Sequence, residues 1–309
     1  MTAASRRWSG PLCAVFGVLG FSFKAILIKL AYREYPVDAI TLLTLRMLYS
    51  APLFLAMAAW AQRTSRATPL ISHIARSDWW RLVWLGCIGY WLASLLDFMG
   101  LQYITASLER LVLFLYPTIV VLLSALMLRK PITRRAVAAL VLSYAGIALV
   151  FWHDIRFAGD ATATLTGGAL VFASAILYAL YLVQAGGVIA RLGSARFIAW
   201  AMLASTVFVV TQFLLTRPLS ALAVPRSIHA ISLAMAVFST VLPTWLIAES
   251  IRRMGANSAS LVGSFGPVFT IGLGAMILGE PVHAIQLAGA ALVLGGVLLV
   301  TLKPRSAAT

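Results

Sequence analysis

Apolar residues in this chain come in long unbroken runs rather than in an alternating or amphipathic pattern. Ten such runs, at approximately 11–31, 38–60, 82–102, 105–128, 135–152, 165–190, 195–215, 228–250, 256–278 and 282–302, are separated by short polar intervals. Each has roughly the 17–25 residues that carry a helix across a bilayer. Backbone groups in hydrocarbon have no water to bond, so each run has to close its hydrogen bonds internally, and a helix is predicted for every one. The strands of a β-barrel would alternate between lipid-facing and lumen-facing residues, and these runs do not. The longest polar intervals, 61–81 and 152–164, are too short for a soluble catalytic domain. The first run follows Arg6 and Arg7 as a secretion signal would. Its length, Lys24 and Lys29 within it, and the lack of a small-residue cleavage site predict a retained first helix instead.

Composition agrees: 61% of residues are hydrophobic and only 11% charged, against about a quarter charged in a soluble domain. The net charge of +15 would suggest nucleic acid if the basic residues formed one face. They sit instead in short clusters between apolar runs, the arrangement that sets topology and attracts anionic headgroups, so no nucleic-acid partner is expected. With the N-terminus in the cytoplasm, the outside receives only Arg33, Arg156, Arg217 and Arg226. The other basic clusters, such as Arg129-Lys130, Arg134-Arg135 and Arg252-Arg253, fall inside. The reading is a multi-pass protein of the bacterial inner membrane with both termini cytoplasmic. Cys13 and Cys87 lie within apolar runs, in no metal-binding or disulfide pattern. His73, His153, His229 and His283 fall in loops or at helix ends and are expected to be neutral surface groups, so no metal or cofactor is predicted.

The chain also repeats itself. Shifted by 150 positions, residues 99–150 align with 249–300 without a gap. Ala106 meets Ala256, Leu111-Val112 meets Leu261-Val262, Pro117 meets Pro267, Pro131 meets Pro281 and Gly146 meets Gly296. Two halves of five helices each, an odd number, must enter the membrane in opposite directions. The loop charges agree, since Arg129–Arg135 is strongly basic while Gly279–Ile285 has no Lys or Arg. The expected fold is therefore all-α and integral to the membrane, with about ten transmembrane helices in two inverted five-helix repeats, residues 11–152 and 165–302. Inverted repeats of this kind are a recurring plan of secondary transporters.

The run Ala256-Asn257-Ser258-Ala259-Ser260-Leu261-Val262-Gly263-Ser264-Phe265-Gly266-Pro267-Val268-Phe269 is followed by Leu278-Gly279-Glu280-Pro281 and a last helix with Gly289, Gly295 and Gly296. This resembles the end of an EamA repeat in the drug/metabolite transporter superfamily. Ala106-Ser107-Leu108, Tyr116-Pro117 and Pro131 look like a divergent copy, and Lys29 and Arg46 stand where such repeats often carry a Lys and an Arg. The sequence departs from that pattern at Phe21-Ser22-Phe23-Lys24 and at Glu109-Arg110. The resemblance implies two five-helix halves around a central cavity, and export or exchange of small metabolites.

Ionisable residues inside spans are costly and mark pathways or internal pairs. Lys24, Lys29, Arg46, Asp97, Glu109 and Arg110 form this set, all in the outer half of the first repeat. Arg46 sits about 12 Å into its helix at a rise of 1.5 Å per residue. Lys24 and Arg46 are expected to face a cavity, with Asp97 a partner for either. Lys29 either joins them or reaches the surface, and Glu109 and Arg110 either line the pathway or form structural pairs. Four cations against two acids leave two positive charges, which points to a small anionic or zwitterionic substrate such as an amino acid, with a carboxyl available for proton coupling. Pro117 and Pro267 are read as mid-helix, either as paired hinges or as static bends. Gly272 and Gly274 suit close helix packing. Tyr90, Trp91, Tyr178, Tyr181 and Trp245 either stack on a substrate or sit at the interface. No metalloprotease or nucleophile motif occurs and no nucleotide-binding loop, so no catalytic residue is assigned and a gradient or exchange would drive transport. The alternative functions are a lipid or lipid-linked-sugar translocator, or a membrane subunit that transports nothing.

Overall fold

The computed structural model describes residues 3–65, 76–129, 131–157, 160–254, 259 and 262–301, and every regular element among them is helical. α1 (Ala3–Glu34) and α2 (Ala39–Ser65) are joined by a tight link in which Asp38 caps α2, accepting from the amides of Ile40 and Thr41. α3 runs from Arg76–Gly86 through a π-helical turn, Cys87–Leu92, into Ala93–Gly100. α4 consists of Ala106–Leu113 and Tyr116–Leu128. α5 (Arg134–Phe157), α6 (Ala161–Leu192) and α7 (Ser194–Thr216) follow. α8 is Arg226–Ala236, a second π-helical turn at Val237–Val241, and Leu242–Met254. α9 is Gly266–Leu273 with a terminal π-helical turn, Gly274–Leu278, and α10 is Ala284–Thr301.

Among the described residues eight helices are long and apolar enough to cross a membrane, and Gly266–Leu278 and Ala284–Leu299 are shorter apolar helices. The chain is an all-α, multi-pass membrane protein. Most runs predicted from hydropathy coincide with these helices to within a few residues. α1 and α6 extend further, because polar and small residues at their ends continue the hydrogen-bond ladder beyond the apolar stretch.

The departures from regular helix recur with the repeat. The π-helical turns begin at Cys87 and Val237, 150 positions apart. α4 is interrupted at residues 114–115, and residues 264–265 interrupt the helix ahead of Gly266. The same tight bond closes both turns, from the Leu115 amide to the Val112 carbonyl and from the Phe265 amide to the Val262 carbonyl. Pro117 and Pro267 each stand at the start of the piece that resumes. A proline there loses no bond that a helix start would have made, so both lie after a break and not, as the hydropathy pattern suggested, inside an unbroken helix. Left-handed residues end both segments, Arg129 at φ 53° and Gly279 at φ 65°. That conformation costs an L side chain roughly 1–2 kcal/mol and glycine almost nothing. Ala256 and Leu261, two of the sequence matches, fall outside the described residues, as do Lys130 and His73.

Packing follows the same symmetry. α1 packs on α8 as α6 packs on α3, α1 on α9 as α6 on α4, and α2 on α8 as α7 on α3. The equivalent pairs α2–α7 and α5–α10 pack on each other. At the α5–α10 crossing a Cβ on Gly146 would lie 2.6 Å from the Gly289 carbonyl oxygen, and one on Gly296 would lie 2.6 Å from that of Ala139. Small residues let the backbones approach this closely, as between helices in lipid generally. Later positions in α5 thus meet earlier positions in α10, so the two equivalent helices are antiparallel. That is the inversion expected of the two halves, seen directly in the contacts. Gly274 makes room for the carboxylate of Glu280, whereas Gly272 opens outward, with nothing within 4 Å of a Cβ placed there.

Candidate functional site

α1 carries Lys24 near the centre of its apolar span, Gly10–Glu34. Its ammonium donates to Asp97 Oδ2 at 2.5 Å and lies 3.9 Å from Glu109 Oε1. Asp97 and Glu109 lie at the end of α3 and the start of α4, yet their side chains are only 2% and 0% exposed, while that of Lys24 retains 17%. The sequence placed Asp97 near the outer surface, and the fold puts it deeper. The α3–α4 turn, exposed at Gln102 and Tyr103, meets α1 short of its end, where Lys29 donates to the carbonyls of Leu101 and Ile104. α1 continues five residues past Lys29 to Glu34, or roughly 8 Å at a rise of 1.5 Å per residue.

Two carboxyl groups therefore share one ammonium. With both ionised, neither Glu109 oxygen has a hydrogen-bond donor among the described residues, and Asp97 Oδ1 has none either. Asp97 and Glu109 are close enough to interact directly.

Arg46, buried on α2, donates through Nη2 to Ser94 Oγ at 3.2 Å, and its guanidinium lies 4.9 Å from the centre of the Phe98 ring. Its charge reaches Asp97, but among the described residues its Nε has no hydrogen-bond partner. Arg110 Nε is likewise without one. Arg110 lies against the α9 break, its Nη2 being 3.2 Å from a Cβ built on Gly266. Its charge also reaches Tyr116 and Tyr178. These rings belong to an aromatic group in which Tyr116 and Tyr178 meet edge-on at 5.2 Å, Tyr178 stacks on Tyr181 at 5.6 Å, and the Tyr90 and Tyr181 hydroxyls are 2.9 Å apart. Trp91 stacks on Phe208 and donates to Gln212, and Trp245 is half exposed on the surface.

Of the six predicted charges, Lys24, Asp97 and Glu109 are brought into one cluster, with Arg46 beside it. Arg110 sits behind Glu109 and faces the aromatic group. Lys29 joins neither of the two acids, and neither does it reach out to the surface, since its ammonium is taken up by carbonyls. Sequence reasoning missed three contacts. Glu280, in the loop before α10, accepts from the Ala106 amide at 2.9 Å, the Ser107 amide at 3.3 Å and the Ser107 hydroxyl at 2.9 Å. It thereby caps α4 across the boundary between the halves. Arg33 donates to the Leu278 carbonyl at the same end. Ser22, two residues before Lys24, donates to the Gly266 carbonyl at 3.1 Å, where Thr270 also bonds. Glu280 also lies within electrostatic range of Lys29. Counting it reduces the excess to one positive charge, four cations against three carboxylates. The signal for Glu280 was present in the sequence, as the single acid in a loop that holds no Lys or Arg.

Comparison with known proteins adds to this geometry. The uncharacterized transporter YcbK of Bacillus subtilis (strain 168) is 30% identical over 301 residues, covering 94% of this chain and 91% of that protein. The uncharacterized transporter YyaM of the same organism is 28% identical over 69% of this chain and 70% of its own length. Protein PecM of Dickeya dadantii (strain 3937) is 25% identical over 72% of this chain and 73% of that protein. A crystal structure aligns over 94% of this chain and 96% of its own, with a TM-score of 0.63 and 19% identity, a likeness of fold. The sequence profile of the EamA-like transporter family matches residues 8–152 and 165–302, and the chain belongs to that family of membrane transporters.

Proposed function

We propose that this protein is a secondary transporter that exports or exchanges small zwitterionic or anionic metabolites, amino acids foremost, across a bacterial inner membrane. The observation that carries the reading is the buried Lys24–Asp97–Glu109 cluster within the first half, with Arg46 alongside. Burying charge without compensation is strongly unfavourable, so such a cluster persists where a ligand or proton completes it. Arg46 and Lys24 would receive the acidic group of the substrate. Asp97 and Glu109 would receive its amine, or take up a proton when the substrate leaves. The halves 11–152 and 165–302 would rock about the cluster, with the breaks before Pro117 and Pro267 as paired hinges. The contacts of Lys29, Arg33 and Glu280 would then be the closed gate at one end.

Radiolabelled amino acids, carboxylates and amines offered to proteoliposomes, with and without a pH gradient, test the proposal. Saturable movement of an amino acid or a carboxylate is the expected result. Movement of purely cationic compounds alone, or of lipid alone, overturns it.

Orientation has its own test. From the loop charges we infer that both termini lie in the cytoplasm, with the basic Arg129–Arg135 loop inside and its counterpart, which has no Lys or Arg, outside. Single cysteines at Ile132 and Val282 are expected to label from opposite sides of the membrane, although the two positions are equivalent in the repeat. Labelling of both from one side would contradict the assignment.

A further inference from the structure

A second polar site lies away from the charge cluster, where the start of α3 meets the end of α6. A cleft of about 240 Å³ is lined by Arg81, Trp84, Leu85, Gln184, Val188 and Arg191, with Gly187 in its wall. Both helices reach the end of their apolar spans here, Ser77–Gly100 and Ala161–Leu192, so the cleft opens at the level where hydrocarbon gives way to headgroups. Three tryptophans mark that level: Trp79, Trp80 and Trp84 are 39%, 70% and 50% exposed. Tryptophan concentrates at this boundary because its ring is apolar and its N–H is not.

The charges in the cleft do not balance. Asp78 is the only acid on this stretch of α3, and Arg191 holds it at 2.7 Å while Arg81 stands at 4.0 Å. The Arg81 side chain is 60% exposed. Two guanidiniums against one carboxylate leave one positive charge facing outward. Trp84 donates its indole N–H to Gln184 Oε1 at 3.1 Å, and this turns the Gln184 amide nitrogen away as a third donor. Beneath these donors the floor is apolar, with Leu85 and Val188 buried at 1% and 3% exposure. A Cβ on Gly186 would meet nothing within 4 Å, and one on Gly187 only the Arg191 guanidinium at 3.7 Å, so α6 leaves open space beside the donors.

We propose that this cleft is a binding site for an anionic phospholipid, its phosphate on Arg81, Arg191 and the Gln184 amide and an acyl chain along the Leu85–Val188 floor. The net negative headgroup matches the unpaired positive charge. A zwitterionic headgroup brings its own cation and cancels the match. Basic pockets between membrane helices recognise lipid headgroups by this chemistry.

Native mass spectrometry of the full-length protein, titrated with phosphatidylglycerol, phosphatidylcholine and inorganic phosphate in turn, tests the proposal. Arg81→Gln is the informative variant, because it leaves the Arg191–Asp78 pair intact and alters an exposed side chain. Selective retention of phosphatidylglycerol, weakened about five-fold in Arg81→Gln, is expected, since one surface cation contributes roughly that factor. Trp84→Phe should weaken retention less and keep the selectivity. Equal retention of the two lipids, unchanged retention by Arg81→Gln, or full displacement of the lipid by millimolar phosphate would each overturn the assignment.

Discussion

Replacing Lys24 by Met should abolish transport and destabilise the protein by about 3–5 kcal/mol, the usual cost of stripping a buried pair of one partner. The ammonium is the sole cation within 4 Å of both Asp97 and Glu109 among the described residues. Without it the two acids confront each other with only the more distant charges of Arg46, beside Asp97, and Arg110, behind Glu109. Thermal unfolding in detergent reads the stability, and proteoliposome uptake reads the activity. A loss on this scale raises the question of whether an inactive variant is simply unfolded. Lys24→Met combined with Asp97→Asn answers it, because removing one charge of each sign restores balance. The double variant should regain most of the stability and none of the transport. Recovery of transport along with stability would make the pair a structural bridge and remove it from the substrate pathway.

The fold was largely legible from the sequence for a physical reason. Lipid demands long apolar runs, so hydropathy alone placed the helices, and the Pro and Gly positions disclosed the repeat before any contact was known. Depth was not legible in the same way. Counting residues from the ends of a run assumes that neighbouring helices end at one level, and α1 runs past the α3–α4 turn. Lys29 binds the carbonyls of that turn and Glu280 the first amides of α4, and Asp97 and Glu109 come to the level of Lys24, well short of the end of α1. That arrangement depends on residues 72 to 174 positions apart pairing with backbone groups. Backbone groups are identical along the chain, so no side-chain pattern announces the contact. The pairing of Lys24 with Asp97 was anticipated only because charges in apolar runs are rare. The aromatic group around Tyr178 gave no comparable signal, since tyrosines also line membrane interfaces.

Removing the carboxylate of Glu280 should unlatch the end of the protein where the α3–α4 turn is held. Glu280 satisfies two of the orphan amides at the start of α4, at Ala106 and Ser107, and accepts from the Ser107 hydroxyl as well. Bonds to a charged acceptor contribute about 1.5–3 kcal/mol, and the negative charge at a helix N-terminus adds a few tenths more. If the latch exists only while this end is closed, its loss in Glu280→Ala shifts the closed-to-open equilibrium toward open by roughly ten- to a hundred-fold, as 1.4 kcal/mol corresponds to ten-fold. The readout is the rate at which an aqueous maleimide labels a cysteine at Ala106, a position that is fully buried in this structure, in a background lacking Cys13 and Cys87. Labelling should quicken at least ten-fold in Glu280→Ala and less in Glu280→Gln, which keeps one acceptor oxygen and loses the charge. Transport should slow in both, since a gate that stays open delays the return step. Arg33→Gln offers a control at the same end, because it removes a bond to the Leu278 carbonyl and leaves the α4 amides capped. Unchanged labelling in Glu280→Ala would show that Glu280 fixes the loop without gating, and the closed end would then need another lock.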